Sequence, residues 1–191
     1  MKGLGDEAVP GSRVTPGPLP GLFLLDLAVR EDPERSGASF REVFRADELD
    51  AAGVPPFRPI QWNVSESERG TIRGIHAEPW DKLIHVVAGE VFSAVADVRK
   101  GSPTAGKVWT GVLDPTKAIL VGSGLGNSFQ VVSERATVAY LVTGSWRPDV
   151  SYPSVRFDDS DLAIPWPIPD HGLELSDKDR SAPSLRELWA D

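Results

Sequence analysis

The residues able to do acid–base chemistry concentrate in one stretch, Thr71 to Arg99, which reads TIRGIHAEPWDKLIHVVAGEVFSAVADVR and holds two of the three histidines. His76 follows the short run from Thr71 to Ile75, and imidazole is the side chain whose ordinary pKa suits a general base near neutral pH. Lys82 stands ahead of a β-branched run, where an ammonium can stabilise an enolate developing in a dry pocket. Asp97 shares one face with Val91, Ser93 and Val95 under period-two alternation. A buried carboxylate is costly unless paired, so His76, Arg73 or Lys82 is its expected partner. Tyr140, one of two tyrosines, is central in ATVAYLV and is a competent proton donor. Each of these four also has a plainer reading, as a satisfied core or surface side chain, and spacing alone does not choose between the two.

Other chemistries find less material. The histidines are His76, His85 and His171, and none is separated from another by a single residue. His76-x-Glu78 is a two-ligand fragment at most, followed directly by Pro79, so no metal site is expected. The chain has no cysteine, which removes disulfides, zinc–thiolate sites and thiol catalysis together. No Gly-x-Ser-x-Gly elbow occurs, and the Gly-rich bend from Gly122 to Gly126 is not followed by a helix, so it reads as a barrel corner rather than a phosphate cradle.

The elements that must position these residues read as strands. Gly21 to Val29 and Ser39 to Phe44 are short apolar runs bounded by turn residues, and Asp47 to Gly53 has the look of a helical turn. Pro55 to Val64 is half-alternating and ends in the polar cluster Asn63 to Arg69. Leu83 to Ala88 and Glu90 to Val98 flank the single residue Gly89 and read as a hairpin. Further strands are expected at 108–113, 118–121, 128–132 and 136–142, with no helical segments between them to support a parallel βαβ sheet. The tail changes character: IPWPIP (164–169) is held extended by its prolines, Ser176 can cap a short helix, and SLRELWA (184–190) has helical spacing. The pattern predicts an all-β sandwich or barrel with a short helical C-terminal appendage.

Length and charge bound the rest. A chain of 191 residues suits one domain, here 21–191, preceded by a Gly/Pro-rich arm at 1–20. A net charge of −8 argues against a nucleic-acid partner. No run approaches the roughly 20 apolar residues of a membrane helix, and the first twenty residues lack the core of a signal peptide. A cytoplasmic location fits the absence of cysteine.

Against that background the chain resembles the dTDP-4-dehydrorhamnose 3,5-epimerases, cupin-like enzymes acting on dTDP-4-keto-6-deoxy sugars, and is closest to members of natural-product deoxysugar pathways. The matching segments are FRPIQWNVSES (57–67), RGIH (73–76), Lys82 to Thr104 with VADVRKGSPT, Gly124 to Phe129, Ala139 to Pro148, IPWP (164–167) and LSDKDRSAPSL (175–185). The resemblance implies a cupin-like jelly-roll barrel, no cofactor or metal, a homodimer and a dTDP-linked keto sugar as substrate. It implies that His76 is the catalytic base, oriented by Asp179, with Lys82 beside the keto oxygen, Asp97 close by and Tyr140 returning a proton on the opposite face. Arg35, Glu42, Gln61, Asn63 and Arg73 resemble positions that hold the nucleotide and diphosphate.

Departures from the family pattern fall around the same residues. Asn127 stands where a histidine is usual, Ser128 where a Gly or Ala is usual, and Trp146 where a second tyrosine is usual. The segment between His76 and Lys82 is about three residues shorter and lacks the PP-x-Q element. Inversion of one carbon only, or a different sugar, fits these changes. So does recruitment of the same fold to another isomerisation or to non-catalytic sugar binding.

Overall fold

The computed structural model describes residues 11–32, 34–169 and 173–190. His171 lies outside them, as do the first ten residues of the expected arm.

Twelve strands are described, and they fall into three antiparallel sheets. The largest sheet has six, in the spatial order β1 (Arg13–Pro16), β2 (Leu22–Asp26), β10 (Lys117–Val121), β7 (Lys82–Ala88), β12 (Arg135–Val142) and β5 (Gln61–Glu68). A four-stranded sheet runs β6 (Ile72–His76), β11 (Gly126–Val131), β8 (Val91–Ala96), β9 (Val108–Leu113). A separate pair, β3 (Val29–Glu31) and β4 (Ser39–Arg41), completes the set, with the short helices α1 (Ala46–Ala51), α2 (Asp177–Arg180) and α3 (Leu185–Ala190). No described helix is long and apolar enough to cross a membrane.

One core joins the two large sheets. Ile84, Ile119 and Val138 from the first pack with Val91, Val95 and Val131 from the second. Removing such β-branched and aliphatic surface from water is the main favourable contribution to folding, at about 25 cal/mol per Å². The outer face of the four-stranded sheet is covered by the C-terminal segment, where Val155, Leu162, Ile164 and Leu185 meet Ile75 and Ala96. The outer face of the six-stranded sheet is partly covered by Leu49, Val54 and Phe57. This is the mostly β, jelly-roll arrangement expected from the sequence, with its small C-terminal helices.

Three local expectations are corrected. Residues 13–16 of the expected arm form β1, which pairs with β2. The polar cluster after Asn63 is no loop: it continues β5 to Glu68, paired with β12 along its whole length. Its half-buried positions are Gln61, Asn63, Ser65 and Ser67, so a strand lining a polar cavity inverts the usual apolar-in pattern. The runs on either side of Gly89 are not a hairpin, since β7 and β8 belong to different sheets. A hairpin loop needs at least about two residues. Gly89 instead turns the chain from one sheet to the other at φ +82°, where a Cβ would lie 2.1 Å from the Arg135 carbonyl oxygen.

Candidate active site

Strand register decides which side chains share the interior. Ile84 is part of the core, and on β7 Lys82 lies two residues before it, hence on the same face. On β12, Tyr140 is directly opposite Ile84 and Val142 is opposite Lys82. On β5, Asn63 pairs with Tyr140 and Gln61 with Val142. Cross-strand partners project to the same side, so all of these face inward. From the opposing sheet, β6 ends at His76, whose partner on β11 is Asn127. Gly74 permits that approach: a Cβ there would come within 2.6 Å of the Asn127 carbonyl oxygen.

Asp179 arrives from far along the chain. The C-terminal segment returns along β6, where Ile75 and Val155 exchange backbone hydrogen bonds and the Ile72 N–H donates to the Glu174 carbonyl. The Ser176 side chain caps α2 by accepting from the Asp179 N–H at 3.1 Å. This sets the Asp179 carboxylate against the imidazole, with Oδ1 2.7 Å from His76 Nε2, while the Gly74 N–H donates to Oδ2 at 3.4 Å. An ionised carboxylate only accepts, so Nε2 is the donor in this bond, and in the neutral imidazole that tautomer leaves a lone pair on Nδ1 for abstraction.

These side chains line a cavity of about 420 Å³ that includes Arg73, His76, Lys82, Asn127, Tyr140 and Asp179. A neighbouring cavity of about 270 Å³ holds Gln61, Asn63 and Trp146, and the two share His76, Lys82 and Tyr140 in their walls. Burial lowers the Lys82 pKa, opposed by the charge and hydrogen bond of Glu78. Burial also raises the Tyr140 phenol, and Glu78 raises it further against the opposing charge of Arg73, so it stays protonated near neutral pH. For Asp179, burial pushes the carboxyl up, but His76, the Gly74 N–H and Ser176 together hold it below its ordinary value. The arrangement provides an oriented imidazole base, a buried ammonium and a protonated phenol around one space. Among the described residues no group of three or more His, Asp or Glu side chains is placed to hold a metal ion.

Three sequence-predicted site residues do not line these cavities. Asp97 is fully buried and pairs with Arg99, not with His76, Arg73 or Lys82. It also accepts from Ser102 and Thr104, so its carboxylate ties the β8–β9 connection instead of facing a substrate. Arg35 is exposed and paired with Asp32 in the β3–β4 connection. Glu42 follows β4 and lies 3.9 Å from Arg45. Conversely, Glu78 and Lys178 line both cavities and were not assigned roles from the sequence. The legible signal for Glu78 was its place in the shortened segment, four residues before Lys82. Trp80 and Tyr152 also line the smaller cavity and stack edge-on, with ring centroids 4.9 Å apart.

With this geometry in hand, comparison with known proteins is specific. Residues 16–187 match the family model described as dTDP-4-dehydrorhamnose 3,5-epimerase. A "Protein RmlC homolog" of Streptococcus pyogenes is 37% identical over 177 residues, covering 89% of this chain and 87% of the relative. The structure of RmlC from Streptococcus suis in complex with dTDP-D-xylose superimposes with a TM-score of 0.86 at 32% identity, covering 94% of each chain. NovW, a 4-keto-6-deoxy sugar epimerase from the novobiocin biosynthetic gene cluster of Streptomyces spheroides, gives 0.84 at 32% identity, covering 97% of this chain and 94% of that one.

Proposed function

The chain belongs to the dTDP-4-dehydrorhamnose 3,5-epimerase family, and from that premise we propose that it inverts C3, C5 or both of a dTDP-4-keto-6-deoxy sugar without a metal or cofactor. The observation that carries this reading is that His76 with its Asp179 partner, Lys82 and Tyr140 line one cavity.

The chemistry follows from the groups present. A C4 ketone acidifies the hydrogens on C3 and C5. His76 takes one through the lone pair that its bond to Asp179 leaves free. The Lys82 ammonium stabilises the negative charge that develops on the carbonyl oxygen, inside a site where burial strengthens electrostatic interactions. The Tyr140 phenol donates a proton to the opposite face of the planar enolate, and the centre is inverted. Each positioned acid or base contributes about 10²–10⁴ in rate. Arg73, Gln61 and Asn63, in the walls of the two adjoining cavities, would hold the diphosphate and nucleotide. Asn127 and Trp146 border the sugar, and the bulk of the indole favours inversion at a single carbon. The likeness to NovW supports a place in the natural-product branch of the family, acting on a soluble nucleotide sugar in the cytoplasm.

The same proposal includes a homodimer. Ile60, Trp62 and Val64 form an exposed apolar row at the β5 edge, with Trp62 68% exposed, and a cavity of about 400 Å³ opens beside it on the outer sheet face between Phe44, His85 and Leu141. A second copy docked there would bury this row. Arg35 and Glu42, which do not line the two cavities around His76 in their own chain, would then serve the partner's site. Trp62→Arg is expected to yield monomers by sedimentation equilibrium where the wild-type protein is dimeric.

The activity is tested with dTDP-4-keto-6-deoxyglucose in deuterated water. Deuterium at C3, C5 or both is expected, at one carbon alone for a mono-epimerase. No incorporation at either carbon removes the epimerase reading. Tyr140→Phe is expected to retain wash-in by His76 while losing inversion, which proton NMR of the sugar ring distinguishes.

A further inference from the structure

Lys82 is not alone in the wall of the cavity. Its ammonium donates to Glu78 Oε2 at 2.5 Å and to Asn127 Oδ1 at 2.8 Å. Both members of the ion pair are secluded, with side chains 8% and 12% exposed for Lys82 and Glu78. An ammonium has three donors, so these two acceptors leave one N–H for a carbonyl oxygen. The short segment between His76 and Lys82 is also pinned on every side. The Ala77 N–H donates to the Pro153 carbonyl and the Gly124 N–H to the Glu78 carbonyl. The Asp81 N–H donates to Thr143 Oγ1, and Asp81 Oδ1 accepts from the Ser123 N–H. Trp80 packs against Gly144, where a Cβ would meet the indole at 2.5 Å. A loop held at so many points presents its carboxylate in one place.

We propose that Glu78 is a positioning residue of the active site, which fixes the Lys82 ammonium with one N–H free for the substrate carbonyl and keeps it charged inside the barrel. Its chemical consequence rests on the epimerase reading, whereas its effect on the charge of Lys82 does not. An isolated buried lysine releases its proton readily, because burial disfavours the charged form, and an ammonium that has lost its proton cannot stabilise an enolate. The adjacent Glu78 carboxylate opposes that tendency through its charge and its hydrogen bond. The same negative charge faces Tyr140 on β12 and favours the protonated phenol, the form that can donate. Other charged or titratable groups around this space are His76 and Arg73 on β6, Asp179 and Lys178 on α2, and Glu174. Among these, Glu78 is the carboxylate in direct contact with Lys82. The pairing has a cost for catalysis, since part of the ammonium's field is spent on Glu78. That makes the third N–H and its direction the more important part of the arrangement.

The test compares wild type with Glu78→Gln and Glu78→Asp. Glutamine keeps the shape and an acceptor oxygen but removes the charge, and aspartate keeps the charge on a shorter arm. Two quantities are followed: the pH dependence of kcat for deuterium wash-in, and the titration of Lys82 by NMR of protein carrying ¹³Cε-lysine, assigned with Lys82→Arg. In Glu78→Gln the Lys82 titration is expected to fall by about one to three pH units. The alkaline limb of kcat should move the same way, with KM changed less than kcat. Glu78→Asp is expected to restore most of the shift. A uniform loss of activity with an unmoved Lys82 titration overturns the proposal and leaves Glu78 as a packing residue. If wild type fails to exchange deuterium, the epimerase reading falls, and the Lys82 titration still decides the charge-setting role, being upheld by the shift and overturned by its absence.

Discussion

Two buried aspartates in this chain live in opposite circumstances. Asp97 is 0% exposed and Asp179 5%, and both carboxyls are held below their ordinary pKa. The Asp97 side chain draws all its partners from within seven residues: Arg99 in a two-pronged ion pair at 2.8 Å, Ser102 at 2.6 Å and Thr104 at 2.5 Å. Burial pushes its carboxyl up, yet these donors together hold it well below the usual carboxylate range. Asp179 is bound to an imidazole 103 residues earlier in the chain and to one long contact from Gly74. A carboxylate saturated by local donors fastens a turn and has no capacity left for a substrate. A carboxylate whose main partner is a titratable ring, in the wall of a cavity, can hold that ring in a useful tautomer. Burial and a lowered pKa are common to both, so the partner's chemistry and sequence distance tell structure from function.

The contrast can be broken by substitution. His76→Ala is expected to lower kcat by about 10²–10⁴, with the fold intact by circular dichroism. Asp179→Asn, which keeps an acceptor for Nε2 but loses the charge, should lower kcat by about 10²-fold with a melting temperature close to wild type. Asp97→Ala should do the reverse. Each bond to a charged group contributes about 1.5–3 kcal/mol, so a net loss of about 3 kcal/mol is expected, lowering Tm by about 6–12 °C for a chain of this size. Its wash-in rate per folded molecule should stay within about twofold of wild type. If Asp97→Ala instead removed activity at unchanged Tm, the assignment of the two aspartates would have to be exchanged.

The smallest effect sharpens the comparison by pH. A carboxyl whose folded pKa is depressed stabilises the fold fully above its unfolded value of about 3.9, and that contribution is lost as pH falls through the folded value. The stability of wild type should therefore decline more steeply below about pH 4 than that of Asp97→Asn, with Asp179→Asn in between. Denaturant midpoints measured across that range check the order.

Much of this was legible in the residues. Period-two alternation and turn chemistry placed most strands; His76, Lys82 and Tyr140 stand out by residue type and Asp179 through the resemblance, and all four line one cavity. Asp97 shows where that reading failed. Its alternation with Val91, Ser93 and Val95 pointed inward correctly, but not to the donors waiting in the turn that follows. β5 was cut short because strands lining a polar cavity do not carry an apolar inner face. The reading at Gly89 failed because two apolar runs joined by one glycine look alike whether the chain folds back or crosses to another sheet. Glu78 reads in the sequence as part of a weak metal-ligand fragment, and its place four residues before Lys82 does not by itself say that its carboxylate lands on the ammonium.

Composition and alternation by themselves determined an acidic, cysteine-free, mostly β chain, because strand formation and the exclusion of thiol chemistry depend only on residue types and their period. Which polar groups meet was decided by the tertiary structure alone. The His76–Asp179 and Lys82–Asn127 contacts span 103 and 45 residues, and such distances are closed only by strand register and the return of the C-terminal segment along β6. The force behind that closure is burial of the shared apolar core, which is indifferent to the chemistry it brings together.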